Sequence, residues 1–263
     1  DLLPAKASLE VKETGSFIAA AEQLARGARV RRSATGDFLI EGVSKTVDWN
    51  AAKWDLSRPR VALYEPWTTN MDAGWTQWLL DTFKVQHTLL HNNDIRHGAL
   101  KEKFDVIILA SQSLPGILHG TREGEKGARD MELARKSQQR AEYVGGIGAE
   151  GVRMLEEFVR NGGTLLAFDA ATELPLEMFP LGVRGVVRST PGENSGWYCP
   201  GSLLRVAIDP SNPLAYGMQS EGIATVVGGQ AFDITLLDEA NRGDRETRGV
   251  VWYAKEKLLA SGW

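Results

Sequence analysis

From Arg60 onward, short and largely apolar runs alternate with amphipathic runs, and this rhythm constrains the fold more than any other feature. "RVALYE" (60–65), "VQHTLL" (85–90), "DVIILA" (105–110) and "TLLAF" (164–168) read as strands. A strand that is apolar on both faces must be covered on both faces, as happens when crossover helices flank a parallel sheet. "DAGWTQWLLDTF" (72–83) supplies one helix, with Trp75, Trp78, Leu79 and Phe83 on the side predicted to be buried. "GAEGVRMLEEFVRNGG" (148–163) supplies another. Its predicted core face is Val152, Leu155, Phe158 and Val159, and Gly162-Gly163 ends it. The expected fold class is therefore α/β, with the strands at 60–65, 105–110 and 164–168 central.

The remainder is organised around that unit. Residues 1–57 read as a small α+β block: a short "SLEV" strand, a helix over "SFIAAAEQLARGA" with Ser16 as N-cap and Gly27 as its stop, then a hairpin of "ARVRRSA" and "DFLIEG" around Thr35-Gly36. "DLSRPR" reads as a linker, and residues 58–263 as the second domain. "LLRVAID", "IATVVG" and "VVWYAKEKLL" are β-like and less regular. A long insertion at about 111–146, charged through "TREGEKGARDMELARKSQQRAEY", reads as a mobile excursion with some helix. Both ends of the chain look cut, as expected of a piece of a longer polypeptide.

Composition narrows the functional classes. The net charge is −4, and Lys and Arg are dispersed, so no basic stripe argues for nucleic acid. No run approaches the roughly 18 consecutive apolar residues of a membrane-spanning helix. The single Cys199 excludes an internal disulfide.

In parallel sheets ligands bind outside the carboxyl ends of the strands. Those ends supply Glu65, Trp67, Ser111, Asp169 and Glu173, the expected pocket. The strand at 164–168 runs into Asp169-Ala170-Ala171, where neither Ser nor Cys offers a nucleophile. Cys199 lies on a separate Pro- and Gly-bracketed loop, and all four histidines precede residue 120. No catalytic residue is therefore expected. His87 and His91 are four apart within a predicted strand, about 13 Å end to end, too far to share one zinc ion at about 2 Å. No metal site and no cofactor are expected within this segment. Gly146-x-Gly148-x-x-Gly151 matches a dinucleotide fingerprint formally, but "SQQRAEYV" upstream is a poor buried strand. A plain glycine-rich helix entry is the expectation.

Three blocks carry a family resemblance: "RVALYEPWTTNMDAGWTQWLLDTF", "EYVGGIGAEGVRMLEEFVRNGGTLLAFDAATELPLEMFPLGV" and "WYCPGSLLRVAIDPSNPLAYGM". They resemble the C-terminal, class I glutamine amidotransferase-like region of large bacterial zinc carboxypeptidases of the carboxypeptidase A type. "FIAAAEQLARGARVRRSATGDFLIEG" is similar to the segment that joins the peptidase domain to it. The resemblance implies a flavodoxin-like, amidotransferase-like sheet and a secreted or periplasmic parent. It further implies an upstream peptidase domain in the same chain as partner, with the zinc held there. Neither the family's His-x-x-Glu motif nor the amidotransferase nucleophile has a match, since the nucleophile's elbow corresponds to Asp169-Ala170. The expected function is that of a non-catalytic accessory domain. The alternative is a module that binds a small molecule or glycan at the strand ends, and a homo-oligomer is admitted by either reading.

Overall fold

The computed structural model describes residues 10–42, 52–67, 70–120, 145–186, 201–226, 231–234 and 247–262. Contacts group the chain into two compact units. One comprises Pro59–Asp81 and Val85–Gly185; the other comprises Asp1–Arg58, Thr82–Lys84 and Val186–Trp263. The division therefore differs from the boundary near residue 57 read from the sequence, because the C-terminal β-rich segment groups with the N-terminal block.

The second-named unit contains antiparallel sheets. Helix α1 (Thr14–Ala25) packs Ala19 and Ala20 against β1 (Val30–Ser33) and β2 (Phe38–Ile40). Strands β1 and β2 form the predicted hairpin, Arg31 opposite Leu39, and Gly36 takes the positive φ of 94° that the turn needs. Strand β3 (Ala52–Leu56) adds to the other edge of β1, and it includes Asp55 and Leu56, the first two residues of the segment the sequence presents as a linker. Gly27 closes α1 as expected: its φ is 79°, and Ala28 N donates to Gln23 O at 3.0 Å. Ser16 is not the N-cap. The helix starts two residues earlier, leaving Ser16 inside it at 2% exposure. A second antiparallel sheet in this unit is built on β8 (Ser202–Ile208), which pairs with Glu221–Val226, Val251–Tyr253 and Leu259–Ser261. Its strict in–out burial pattern is that of a half-covered antiparallel strand.

The other unit is the α/β fold expected. Strands β4 (Val61–Tyr64), β5 (His87–Leu90), β6 (Val106–Leu109) and β7 (Thr164–Ala167) form one sheet in the order β5-β4-β6-β7. All are parallel and in register, Tyr64 level with Leu90 and Leu109, and Leu109 with Ala167. Alternation sends Ala62, Tyr64, Ile107 and Leu109 to one face and Val61, Leu63 and Ile108 to the other. On the first face lie α3 (Asn92–Arg96), α4 (Leu100–Lys103), α5 (Leu114–His119) and α6 (Gly148–Arg160). On the second lies α2 (Met71–Thr82), through Ala73 and Leu80. Leu155 and Phe158 of α6 are fully buried, each worth roughly 1.5–3 kcal/mol of transfer free energy. Gly162 (φ 82°) and Gly163 end α6, with Gly163 N donating to Phe158 O at 2.9 Å.

Three expectations about this unit need correction. Among the described residues β7 is the edge of the sheet rather than a central strand, and Leu165 and Leu166 are only half-buried. Val159 of α6 is exposed. Most notably, Trp75, Trp78 and Leu79 of α2 face solvent, and the small Ala73 takes the buried position. A helix that crosses a sheet closely favours a small contact residue, and here it displaces the indoles outward. Of the long insertion, residues 111–120 and 145–146 are described, and "TREGEKGARDMELARKSQQRAEY" lies outside the described residues.

A bidentate ion pair ties the start of β4 to the loop before β6. Arg60 Nη2 meets Asp105 Oδ1 at 2.8 Å, and Arg60 Nε and backbone N donate to Oδ2 at 3.1 and 2.9 Å. These bonds hold the Asp105 carboxyl far below the usual carboxylate range. A depressed folded-state value contributes stability that is complete above the unfolded value, about 4, and is lost as pH falls toward the folded one. Urea midpoints should therefore drop on acidification from pH 5 toward pH 2. Asp105→Asn should lower the midpoint at neutral pH and flatten that acid-side slope. An unchanged slope would remove this pair from the stability account.

Candidate functional site

The carboxyl ends of the parallel strands converge on one edge, where two side-chain groups form. At the β4–β5 end, the backbone leaves the ladder through Glu65 N donating to Leu90 O at 3.0 Å. His91 caps the start of α3: its N–H donates to Asp94 Oδ2 at 2.8 Å, and its Nδ1 lies 2.7 Å from Glu65 O. The imidazole stacks on the Trp67 indole, with centroids 3.9 Å apart and planes 17° from parallel. Trp67 remains 41% exposed.

At the β6–β7 end, Ser111 Oγ donates to Asp169 Oδ2 at 2.8 Å. Asp169 has φ 46°, the left-handed region that a non-glycine residue seldom adopts. It opens a 3-10 turn (Asp169–Thr172) directly after β7, and Thr172 Oγ1 donates to its carbonyl at 2.5 Å. The chain therefore turns sharply after β7, and the Asp169 carboxylate lies at that turn. Asn70 joins this group. Its Oδ1 accepts from Asp72 N (2.9 Å) and Ala73 N (3.2 Å), capping α2, while its Nδ2 donates to Ser111 O at 3.2 Å. Glu173 opens helix α7 (Glu173–Met178) one turn beyond Asp169 and is half-buried.

Of the residues predicted to line a pocket, the structure links Ser111 with Asp169 and sets Glu65 with Trp67 beside His91. The sequence reading missed His91 and Asn70 as members of this edge. Both were within reach: His91 ends β5 at the same edge, and Asn70 immediately precedes a helix in N-cap position. His87 and His91 serve different neighbours, His87 Nδ1 lying 3.1 Å from Val85 O. Among the described residues, no three His, Cys, Asp or Glu side chains gather as metal ligands. Cys199 lies outside the described residues, as does the expectation about its histidine neighbours. A cleft of about 240 Å³ opens between α4 and α6, lined in part by Leu100, Met154 and Phe158. Since Asn161 and Leu100 precede β7 and β6, this cleft is at the opposite, amino-terminal end of the strands.

Behind the edge, a buried polar chain fixes α3. Tyr64 Oη donates to Asn92 Oδ1 at 2.7 Å, and Asn92 Nδ2 donates to Gly145 O at 2.8 Å. Burial pushes the Tyr64 phenol well above its usual value, so it stays protonated and donates. Asn92 is 1% exposed, so Asn92→Ala strands the buried Tyr64 hydroxyl and the part-buried Gly145 carbonyl and should cost about 1–3 kcal/mol. Chemical denaturation of the variant checks this, and a neutral result would mean that water replaces the amide.

The glycine fingerprint has a packing explanation. A Cβ on Gly146 would sit 2.2 Å from Ile117 O, and one on Gly151 would sit 2.5 Å from Ile147 Cβ and 3.3 Å from Ile95 Cγ2. Gly148 has φ 60°. These glycines let α6 enter against α3 and α5.

No family model and no curated protein matches the chain. Among solved structures it is similar to a glutamine amidotransferase from Thermotoga maritima, at 14% identity and a TM-score of 0.39, over 68% of this chain and 64% of that one. It is also similar to a ThuA-like protein from Bacteroides uniformis, at 13% identity and a TM-score of 0.35, over 64% of this chain and 58% of that one. The chain thus spans less than two thirds of either structure, and the likeness concerns the fold, with no residue role carried across it.

Proposed function

We propose that this chain is a non-catalytic accessory module of a secreted or periplasmic zinc metallocarboxypeptidase, with the zinc and the peptidase chemistry in a domain upstream. The observation that carries the non-catalytic part is Asp169. It occupies the strained turn after β7, and its carboxylate accepts from Ser111. The turn position carries a carboxylate rather than a thiol or hydroxyl nucleophile, and the nearby Ser111 hydroxyl donates to that carboxylate rather than to an imidazole held by a third group, the arrangement that acyl transfer requires. The peptidase link is supported by the resemblance of the blocks at 60–83, 142–183 and 197–218. The test is the reading frame upstream of Asp1. An in-frame domain bearing His-x-x-Glu and a distant third ligand is expected, and a frame without one overturns the accessory role.

A second reading rests on Trp67. An exposed indole held flat by His91, at the edge that also carries Glu65 and the Ser111–Asp169 pair, suits a small-molecule or glycan ligand that stacks on a ring and bonds to carboxylates. A thermal-shift screen with mono- and oligosaccharides tests it. A ligand at 100 times its Kd stabilises by about 2.7 kcal/mol, and Trp67→Ala should abolish the shift.

A further inference from the structure

The cleft between α4 and α6, about 240 Å³, has an apolar floor and a charged rim. Leu100 of α4 and Met154 and Phe158 of α6 make the floor. An apolar cavity of about 150 Å³ holds a benzene ring, so this cleft has room for one ring with a short chain. The lip is strained. Gly98 and Ala99, which lead into α4, both lie in the left-handed region, at φ 71° and 53°. Glycine adopts that conformation freely and alanine does not, and strain of this kind gathers at ligand clamps. A Cβ on Gly98 would sit 2.6 Å from Met154 Sδ, so the turn lies directly against the methionine. Met154 is the wall that can yield, since its unbranched thioether repacks readily.

The rim charges are Lys101, Glu102 and Glu157. The Lys101 ammonium is drawn to Asp105 at 3.7 Å, a carboxylate it shares with Arg60. Glu102 and Glu157 line the cleft from opposite helices, both are exposed, and neither has an ion pair among the described residues. The cleft also reaches Asn161, the C-cap of α6, where the helix dipole adds partial negative charge. We propose that this cleft binds a small aromatic amine, its ring on Leu100, Met154 and Phe158 and its ammonium between Glu102 and Glu157. The floor rejects a purely polar ion, which would lose its hydration there. The two rim carboxylates then select the head group, because an ammonium meets opposite charge from both walls and a carboxylate meets like charge. The site lies at the other end of the sheet from Trp67 and Asp169, so it stands apart from both functional readings.

The probes are phenethylamine and hydrocinnamate, matched in ring and chain and opposite in charge. The full chain carries isotope-labelled methionine methyl groups, and the Met154 signal is identified by its loss in Met154→Leu, a volume-conserving change. Phenethylamine should shift the Met154 methyl saturably and leave the other methionine methyls in place. Its affinity should exceed that of hydrocinnamate by about fivefold or more at low salt, the scale of two exposed charge contacts, with the advantage shrinking at high salt. Glu102→Gln with Glu157→Gln should erase the advantage while both probes still bind weakly. Both positions are exposed, and the urea midpoint should be unchanged. No shift at Met154, a shift spread over all the methionine methyls, hydrocinnamate binding as tightly as the amine, or an advantage that survives the double substitution overturns the proposal.

Discussion

Phe158→Ala should lower folding stability by about 3–5 kcal/mol, the range for deleting a fully buried aromatic ring. The ring is 2% exposed and belongs to the cluster that joins α6 to Ile107, Leu109 and Ala62 on the sheet. It also fills the corner where α6 turns into β7: a Cβ on Gly163 would lie 2.4 Å from its Cζ. That corner is closed by backbone, through Gly163 N to Phe158 O and Thr164 N to Asp105 O, so little can collapse into the space left by the ring. The cost is therefore lost burial plus a persistent cavity. Urea denaturation should show a large fall in midpoint with an unchanged slope. A cost below about 1 kcal/mol would mean that the helix does not pack through this residue.

Gly146→Ala should cost about 3 kcal/mol or more, at the upper end of overpacking penalties. The added methyl would meet Ile117 O at 2.2 Å and Leu118 C at 2.5 Å, both main-chain atoms that no rotamer change can move. The segment cannot shift away either. Ile147 N donates to Ile117 O at 2.9 Å, and Arg96 Nη1 donates to Gly146 O at 2.7 Å. Gly148→Ala is the control. Nothing lies within 4 Å of its added carbon, so only the φ of 60° is penalised, at roughly 1 kcal/mol. Paired denaturation curves distinguish the two, and equal costs would contradict the packing account of the glycine run. If those glycines instead served a phosphate, both changes would be mild for stability.

The rhythm of strand and helix was legible because a residue buried on either face of a sheet must be apolar, so Val61–Tyr64 and Val106–Leu109 announce themselves. Strand order was not legible. The run at 164–168 is as apolar as its neighbours in the sheet, yet nothing in it encodes how many neighbours it has, and among the described residues β7 is an edge. Helix α2 misled for a related reason. Periodicity identifies an apolar stripe but not which stripe meets the sheet, and the narrower one, Ala73 with Leu80, allows the closer approach. Ser16 has the residue type of a cap, but the helix begins at Thr14 with Glu13 as its N-cap, which leaves Ser16 inside the first turn. In the candidate site, Glu65, Trp67, Ser111 and Asp169 followed from the rule that strand ends face ligands. Their division into a Trp67–His91 stack and a Ser111–Asp169 pair depends on side-chain contacts that spacing along the chain does not specify.

The central proposal is that the turn after β7 stands where an acyl-transfer elbow would and lacks its chemistry. The most direct test is ammonia release from glutamine by the purified chain, with Asp169→Ala and Ser111→Ala measured alongside. The account predicts that all three are indistinguishable from buffer. Release by the natural chain that falls about 100-fold in Asp169→Ala, the scale of a lost acid–base group, would contradict it.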